Sequence, residues 1–201
     1  MKPKAIGLYG GTFDPVHSGH LAVIKSFLNS SDFAELWVLP SPLSPFKQGE
    51  AGTPYWHRAE MTRIAIRGIP KVKVCTIEET LPKPSYTIHT LEALCKQHPG
   101  YAFTVCIGAD NLSAFSRWHR YRDILEMADL LVAARPEFST EAVAPVVMRK
   151  VRFAEHEPLS CSSTKLRERL TQGEIPAEIP ADVYSYIREH NLYSLNNTSK
   201  S

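Results

Sequence analysis

Residues 5–20 read AIGLYGGTFDPVHSGH, and this stretch decides the fold. Ala5–Tyr9 is a short apolar run stopped by Gly10 and Gly11, as expected of a buried strand. From Gly19 onward Leu21, Ile24, Phe27 and Leu28 recur at helical spacing, so a helix follows the glycine loop. The pattern then repeats along the chain. Glu35–Leu39 reads as a second strand, and Met61, Ile64 and Ala65 mark a helix ended by Gly68 and Pro70. Val72–Ile77 is expected as a strand, Thr87–Gln97 as a helix and Phe103–Ile107 as a buried strand. A helix over Tyr121–Met127 precedes a strand at Leu130–Ala134, Val151–Ala154 is a sixth strand, and helices at Ser163–Leu170 and Asp182–His190 follow. Strands that alternate with helices, several of them continuous apolar runs, predict a parallel sheet covered on both faces. The expected fold class is α/β: a Rossmann-like, doubly wound parallel sheet with a C-terminal helical segment. We read residues 1–193 as one domain and residues 194–201 as a frayed polar tail.

Composition narrows the field. The 201 residues carry 43% apolar and 22% charged side chains and a net charge of +2, ordinary values for a globular chain. Bulk electrostatics therefore demand neither a nucleic acid nor a membrane as partner. MKPKAIGLYGG is too short in apolar residues for a signal peptide, and no run is long enough to span a bilayer. Cys75, Cys95, Cys106 and Cys161 lack metal-type spacing, and two of them sit in apolar runs. The expected compartment is the reducing cytoplasm. Asn197-Thr198-Ser199 fits a glycosylation pattern that such a location leaves unused.

In a doubly wound sheet, ligands bind beyond the carboxyl ends of the strands. The glycine loop, the segment after Ile107 and the long stretch Pro40–Trp56 all fall at that edge. That stretch contains Pro40, Pro42, Pro45 and Pro54 with Gly49 and Gly52, and must be an extended loop. Gly10-Gly11-Thr12 lets backbone amides approach phosphate oxygens, although a bare Gly-Gly is equally a tight turn. It is neither GxGxxG nor a P-loop. His17-Ser18-Gly19-His20 adds two histidines at i and i+3, able to donate to phosphate together with a helix N-terminus. As a metal pair they lack a third ligand nearby. Ser162-Ser163-Thr164-Lys165-Leu166-Arg167 places hydroxyls at a helix start and two cations in its first turns, which suits a polyphosphate.

These motifs carry a resemblance. GGTFDPVHSGH at Gly10–His20 resembles the HxGH signature of the nucleotidylyltransferase superfamily, and SSTKLR at Ser162–Arg167 resembles its second signature. Between them lie PSYTIHTL (Pro84–Leu91), GADNLSAFSRWHRYRDIL (Gly108–Leu125) and ARP (Ala134–Pro136), and IPADVYSYIREHNLY follows. The ordered set over residues 5–193 resembles the bacterial nicotinate-nucleotide adenylyltransferases. The resemblance implies that Gly10, Gly11, Thr12 and Phe13 line the phosphate region. It implies that His17 and His20 contact the α- and β-phosphates, and that Gly108 and Asp110 hold the adenosine ribose. Ser162, Ser163 and Arg167 would steady the triphosphate, with Lys47 as a further phosphate-binding lysine. Thr87, Trp118 and His119 resemble the nicotinate pocket, with Trp118 stacked on the pyridine ring, while Tyr86 is expected to pack.

Two departures stand out: Phe46 precedes Lys47 where the family commonly has histidine, and His119 follows Trp118 where it often has tyrosine. The implied reaction joins ATP and nicotinate mononucleotide to give deamido-NAD and pyrophosphate, with Mg²⁺ arriving on the nucleotide and no dedicated protein metal site. Nicotinamide mononucleotide or phosphopantetheine as acceptor, and a nucleotide-sensing module without turnover, remain alternatives. A dehydrogenase is disfavoured by the missing GxGxxG. A homo-oligomer is compatible with the sequence, which does not specify one.

Overall fold

The structure is a computed structural model of the 201-residue chain, described here for residues 3–43, 52–134, 138–157, 159 and 161–194. Strands β1 (Lys4–Gly11), β2 (Glu35–Pro40), β3 (Val72–Val74), β4 (Tyr101–Gly108), β5 (Asp129–Ala134) and β6 (Val151–Glu155) form one sheet. Around it lie α1 (Ser18–Asn29), α2 (Tyr55–Ile66), α3 (Thr87–Gln97), α4 (Ala109–Ala114), α5 (Tyr121–Met127), α6 (Pro145–Met148), α7 (Ser163–Thr171) and α8 (Ala181–Glu189). Every strand pairing is parallel, and the order β3-β2-β1-β4-β5-β6 reverses direction between β1 and β4. This is the doubly wound Rossmann order that the alternating pattern predicts.

The period-2 alternation of each strand explains the two cores. Ile6 and Leu8, Trp37 and Leu39, Phe103, Val105 and Ile107, and Leu130 and Val132 face one side, against Ile88, Leu91 and Leu94 of α3 and Ile124 of α5. Tyr9, Leu36 and Val38, Cys106, and Leu131 and Ala133 face the other, against Ile24 and Phe27 of α1, Met61 of α2, Leu166 of α7 and Val183 of α8. Because both faces are dry, the strands read as continuous apolar runs.

Element boundaries differ from the sequence reading where tertiary contacts decide. Gly10 and Gly11 belong to β1, paired with Leu39 and Pro40, so the glycines extend the strand before the chain turns. β3 stops at Val74, short of the strand expected to reach Ile77, and Ile77 instead opens a 3₁₀ turn, Ile77–Glu79. Cys75 accordingly lies just beyond a strand. The helix after the proline-rich stretch begins at Tyr55 with Pro54 at its N-cap, so Tyr55 and Trp56 are helical. Residues 44–51, including Lys47, and the tail from 195 onward, including Asn197, lie outside the described residues. Among the described residues no helix is long and apolar enough to cross a membrane.

Candidate active site

The pairing of β1 with β4 ends at Tyr9 opposite Cys106, although both strands run on for two residues, to Gly11 and Gly108. A crevice therefore opens at the point where the strand order reverses. A Cβ added to Gly10 or to Gly108 would meet no atom within 4 Å, so the backbone at both strand ends faces open space.

Above β1, the loop from Thr12 to Val16 turns back to start α1. Phe13 has a φ of 51°, and its ring is 2% exposed, packed edge-on against Tyr9 and His20. Only its backbone can face a ligand. His17 is the N-cap residue of α1, and its ring stacks on that of His20 with centroids 3.7 Å apart. The His17 amide donates to His20 Nδ1 at 3.2 Å. In the neutral ring this places the His20 proton on Nε2 and leaves a donor there. Burial, with a smaller contribution from the neighbouring His17, lowers the pKa of His20 to about 3. Burial likewise lowers His17 to about 4, partly opposed by Glu178. Both rings are thus neutral near pH 7. The Nδ1 of His17 is buried and has no hydrogen-bond partner among the described residues.

The second motif closes on the first. Ser162 is the N-cap residue of α7, yet its hydroxyl makes no capping bond. That departs from the usual serine cap and leaves the first amides of α7 without a side-chain partner. Ser163 Oγ instead donates to the Pro15 carbonyl at 3.2 Å, and Arg167 Nη1 donates to the Asp14 carbonyl at 2.8 Å. The N-termini of α1 and α7 consequently meet at the Thr12–His20 loop. Gly19 permits this approach, since a Cβ there would lie 3.0 Å from His17 Nδ1 and 3.2 Å from the Cys161 Cβ.

Gly108 is the N-cap residue of α4, and Asp110 stands exposed in its first turn. Ala134 ends β5, whereas Arg135 and Pro136 lie outside the described residues. Thr87 opens α3. The ring of Tyr86, just before it, tilts against His119 at 4.6 Å, and His89 lies 5.7 Å from Tyr86. Trp118 packs on Phe115 at 5.0 Å, with its buried Nε1 unpartnered among the described residues, as is His89 Nδ1. Ser85 N donates to the Leu43 carbonyl, which ties this group to the chain leaving β2. The sequence-predicted residues thus fall into two groups, one around α1 and α7, the other around α3 and residues 115–119. A separate cleft of about 1130 Å³ runs along the outer side of α1, between Lys25, Ser26 and Asn29 and the strand end Phe153–Glu155. It touches neither histidine of the motif.

Three residues central to this architecture gave no functional signal in the sequence. Arg58 and Tyr193 hydrogen-bond to the Thr12–His20 loop, and Asp14 within that loop is the partner of Tyr193 and Thr53. Asp14 lies inside the quoted motif, but a helical arginine and a near-terminal tyrosine read as ordinary surface residues. Among the described residues no group of three histidine, cysteine or acidic side chains is arranged to hold a metal ion.

A doubly wound sheet with paired histidines and two helix N-termini above its switch point is suited to binding the phosphates of a nucleotide. The comparisons agree. Residues 8–169 match the cytidylyltransferase-like family. The nicotinate-nucleotide adenylyltransferase of Bacillus subtilis strain 168 is 34% identical over 192 residues, covering 94% of this chain and 98% of that protein. Two structures of the Plasmodium falciparum nicotinic acid mononucleotide adenylyltransferase share the fold. The one complexed with APC has a TM-score of 0.74 at 22% identity, covering 94% of this chain and 97% of the other. The one complexed with NaAD has a TM-score of 0.75 at 23% identity, with the same coverage. The chain belongs to the cytidylyltransferase-like family and, within it, to the nicotinate-nucleotide adenylyltransferases.

Proposed function

We propose that this protein transfers an adenylyl group from ATP to nicotinate mononucleotide, releasing pyrophosphate and forming nicotinate adenine dinucleotide. The observation that carries this reading is the junction of the α1 and α7 N-termini, where stacked His17 and His20 meet the segment that bears Arg167. The relatives named above support the choice of reaction and of acceptor.

An acceptor phosphate oxygen attacks the α-phosphorus in line. A new P–O bond forms, the bond from the α-phosphorus to the bridging oxygen breaks, and pyrophosphate leaves with that electron pair. The acceptor is already an anion, so no protein base is needed, and the site contributes position and charge stabilisation. His20 donates from Nε2 and, with His17, steadies charge growing on the leaving group. Because both rings start neutral, they bind as hydrogen-bond donors and gain proton affinity as negative charge approaches. The α7 amides, Ser162, Ser163 and Arg167 hold the outer phosphates. Gly10, Gly11, Thr12 and the Phe13 backbone line the phosphates, and Asp110 with Gly108 receives the ribose. Trp118, His119 and Thr87 border the pyridine ring.

Neutral histidines, an arginine, hydroxyls and amides are donors to phosphate, and this set fits a metal that enters on the nucleotide. When it arrives with the nucleotide, Mg²⁺ would supply charge neutralisation beside these donors.

The test is pyrophosphate release from ATP and Mg²⁺ with three acceptors in parallel. Strong preference for nicotinate mononucleotide over nicotinamide mononucleotide and phosphopantetheine is expected. Equal use of the amide would overturn the acid-specific pocket, and silence with all three would favour a non-catalytic nucleotide sensor.

A further inference from the structure

Arg58 is 4% exposed, on a helix that carries none of the motif residues. Its guanidinium donates from all three nitrogens to main-chain carbonyls of three separate segments. Nη1 reaches Thr12 at 2.6 Å in the catalytic loop, Nη2 reaches Pro42 at 3.2 Å where the proline-rich stretch begins, and Nε reaches Thr53 at 2.9 Å where it ends. Two residues after Thr12, Asp14 is 5% exposed. Its Oδ1 accepts from the Tyr193 hydroxyl at 2.6 Å and its Oδ2 from the Thr53 amide at 3.3 Å. Burial lowers the proton affinity of Arg58, and the negative charge of Asp14 opposes that loss. The carbonyl of the same Asp14 accepts from Arg167.

A buried cation and a buried carboxylate are expensive to desolvate, and apolar packing would stabilise the fold at least as well. Their hydrogen bonds go to the backbone on which His17, the phosphate-facing amides and Arg167 depend. We infer that Arg58, Asp14 and Tyr193 are positioning residues for adenylyl transfer. Together they fix the Thr12–Asp14 backbone, and through it the aim of Arg167, while clasping both ends of the proline-rich stretch to the catalytic loop. The inference rests on the reaction proposed above. An arginine is required because a planar fork serves three directions at once, which the single ammonium of lysine cannot. Tyr193 pins the loop from the segment that follows α8, so that segment becomes part of the machinery without touching substrate.

The test compares wild type, Arg58→Lys and Tyr193→Phe in the pyrophosphate-release assay, with KM for each substrate and the thermal midpoint measured beside turnover. Displacing a positioned group by about 1 Å costs on the order of 10²-fold in rate. Arg58→Lys is therefore expected to lower kcat by about 10²-fold, with the retained charge failing to rescue it. Tyr193→Phe, which keeps the ring and can be accommodated without refolding, is expected to lower kcat by about tenfold, with KM for ATP changed less than about threefold. Unchanged kcat per folded molecule in both variants, with only a lowered thermal midpoint, would show a merely structural role and overturn the inference. Should Arg58→Lys fail to fold, Tyr193→Phe decides alone. Absence of turnover in the wild type would instead overturn the proposed function and this inference with it.

Discussion

At the scale of single residues, His17 and His20 show how burial sets chemistry. Two imidazoles stacked at 3.7 Å cannot both be charged without repulsion, and their desolvated position holds both neutral. Replacing His20 with alanine is expected to lower kcat by about 10²-fold or more while ATP binding changes by only a few fold. Steady-state kinetics beside direct nucleotide binding check this, and equal losses in both would remove His20 from the transition state. The same depressed values bear on stability. The unfolded chain takes up protons near pH 6.5, whereas the folded rings resist them until about pH 4 and about pH 3. The folded state therefore binds fewer protons in that window, and stability is full above about pH 6.5 and falls as the pH drops through it. Thermal midpoints between pH 7 and pH 4 should decline, and less steeply in a His17→Asn, His20→Asn double variant. An unaltered slope in that variant would place the acid sensitivity elsewhere. The paired histidines were readable from their spacing. Asp14, Arg58 and Tyr193 were not, because each acts through a backbone carbonyl, amide or carboxylate that sequence does not bring near it.

Among the elements, the site depends on α7 lying against the loop that begins α1. Leu166 anchors α7 in the core, Ser163 holds Pro15, and Gly19 provides the clearance for Cys161. Gly19→Ala sets two effects against each other. Alanine raises helix propensity by up to about 1 kcal/mol, while its methyl presses on His17 Nδ1 and the Cys161 Cβ. The thermal midpoint should stay within a few degrees of the wild type while kcat falls about tenfold. A variant as active as the wild type would mean that the two N-termini need no such close approach. The six strands and six of the helices followed in order from apolar periodicity, whereas the short α4 and α6 gave no such pattern. Helices α3 and α5 fall where the sequence places them. The short β3 did not, because Val72–Ile77 is apolar at both ends and only the register with β2 stops the strand at Val74. Nor did the start of α2, where Tyr55 and Trp56 follow the prolines closely enough to read as loop.

Over the whole molecule, a single sheet separates two apolar layers, and the layer under α3 can be perturbed without touching the switch point. Leu94→Ala removes a side chain 1% exposed in that layer. The expected cost is about 2–5 kcal/mol, a fall in thermal midpoint of roughly 5–20 °C. The KM values of the folded enzyme should be preserved, so a large change in them would mean that the core and the acceptor side are coupled. The sequence by itself determined the α/β class, the six strands and the two motifs at Gly10–His20 and Ser162–Arg167. Apolar period and helix-start chemistry are local properties, and each is complete within about a dozen residues. Only the tertiary structure decided that the two motifs meet, that β1 and β4 part beyond Tyr9 and Cys106, and that Arg58 and Tyr193 hold the loop between them. Those facts depend on strand order and on hydrogen bonds spanning as many as 179 residues, and no local pattern encodes a partner that far along the chain.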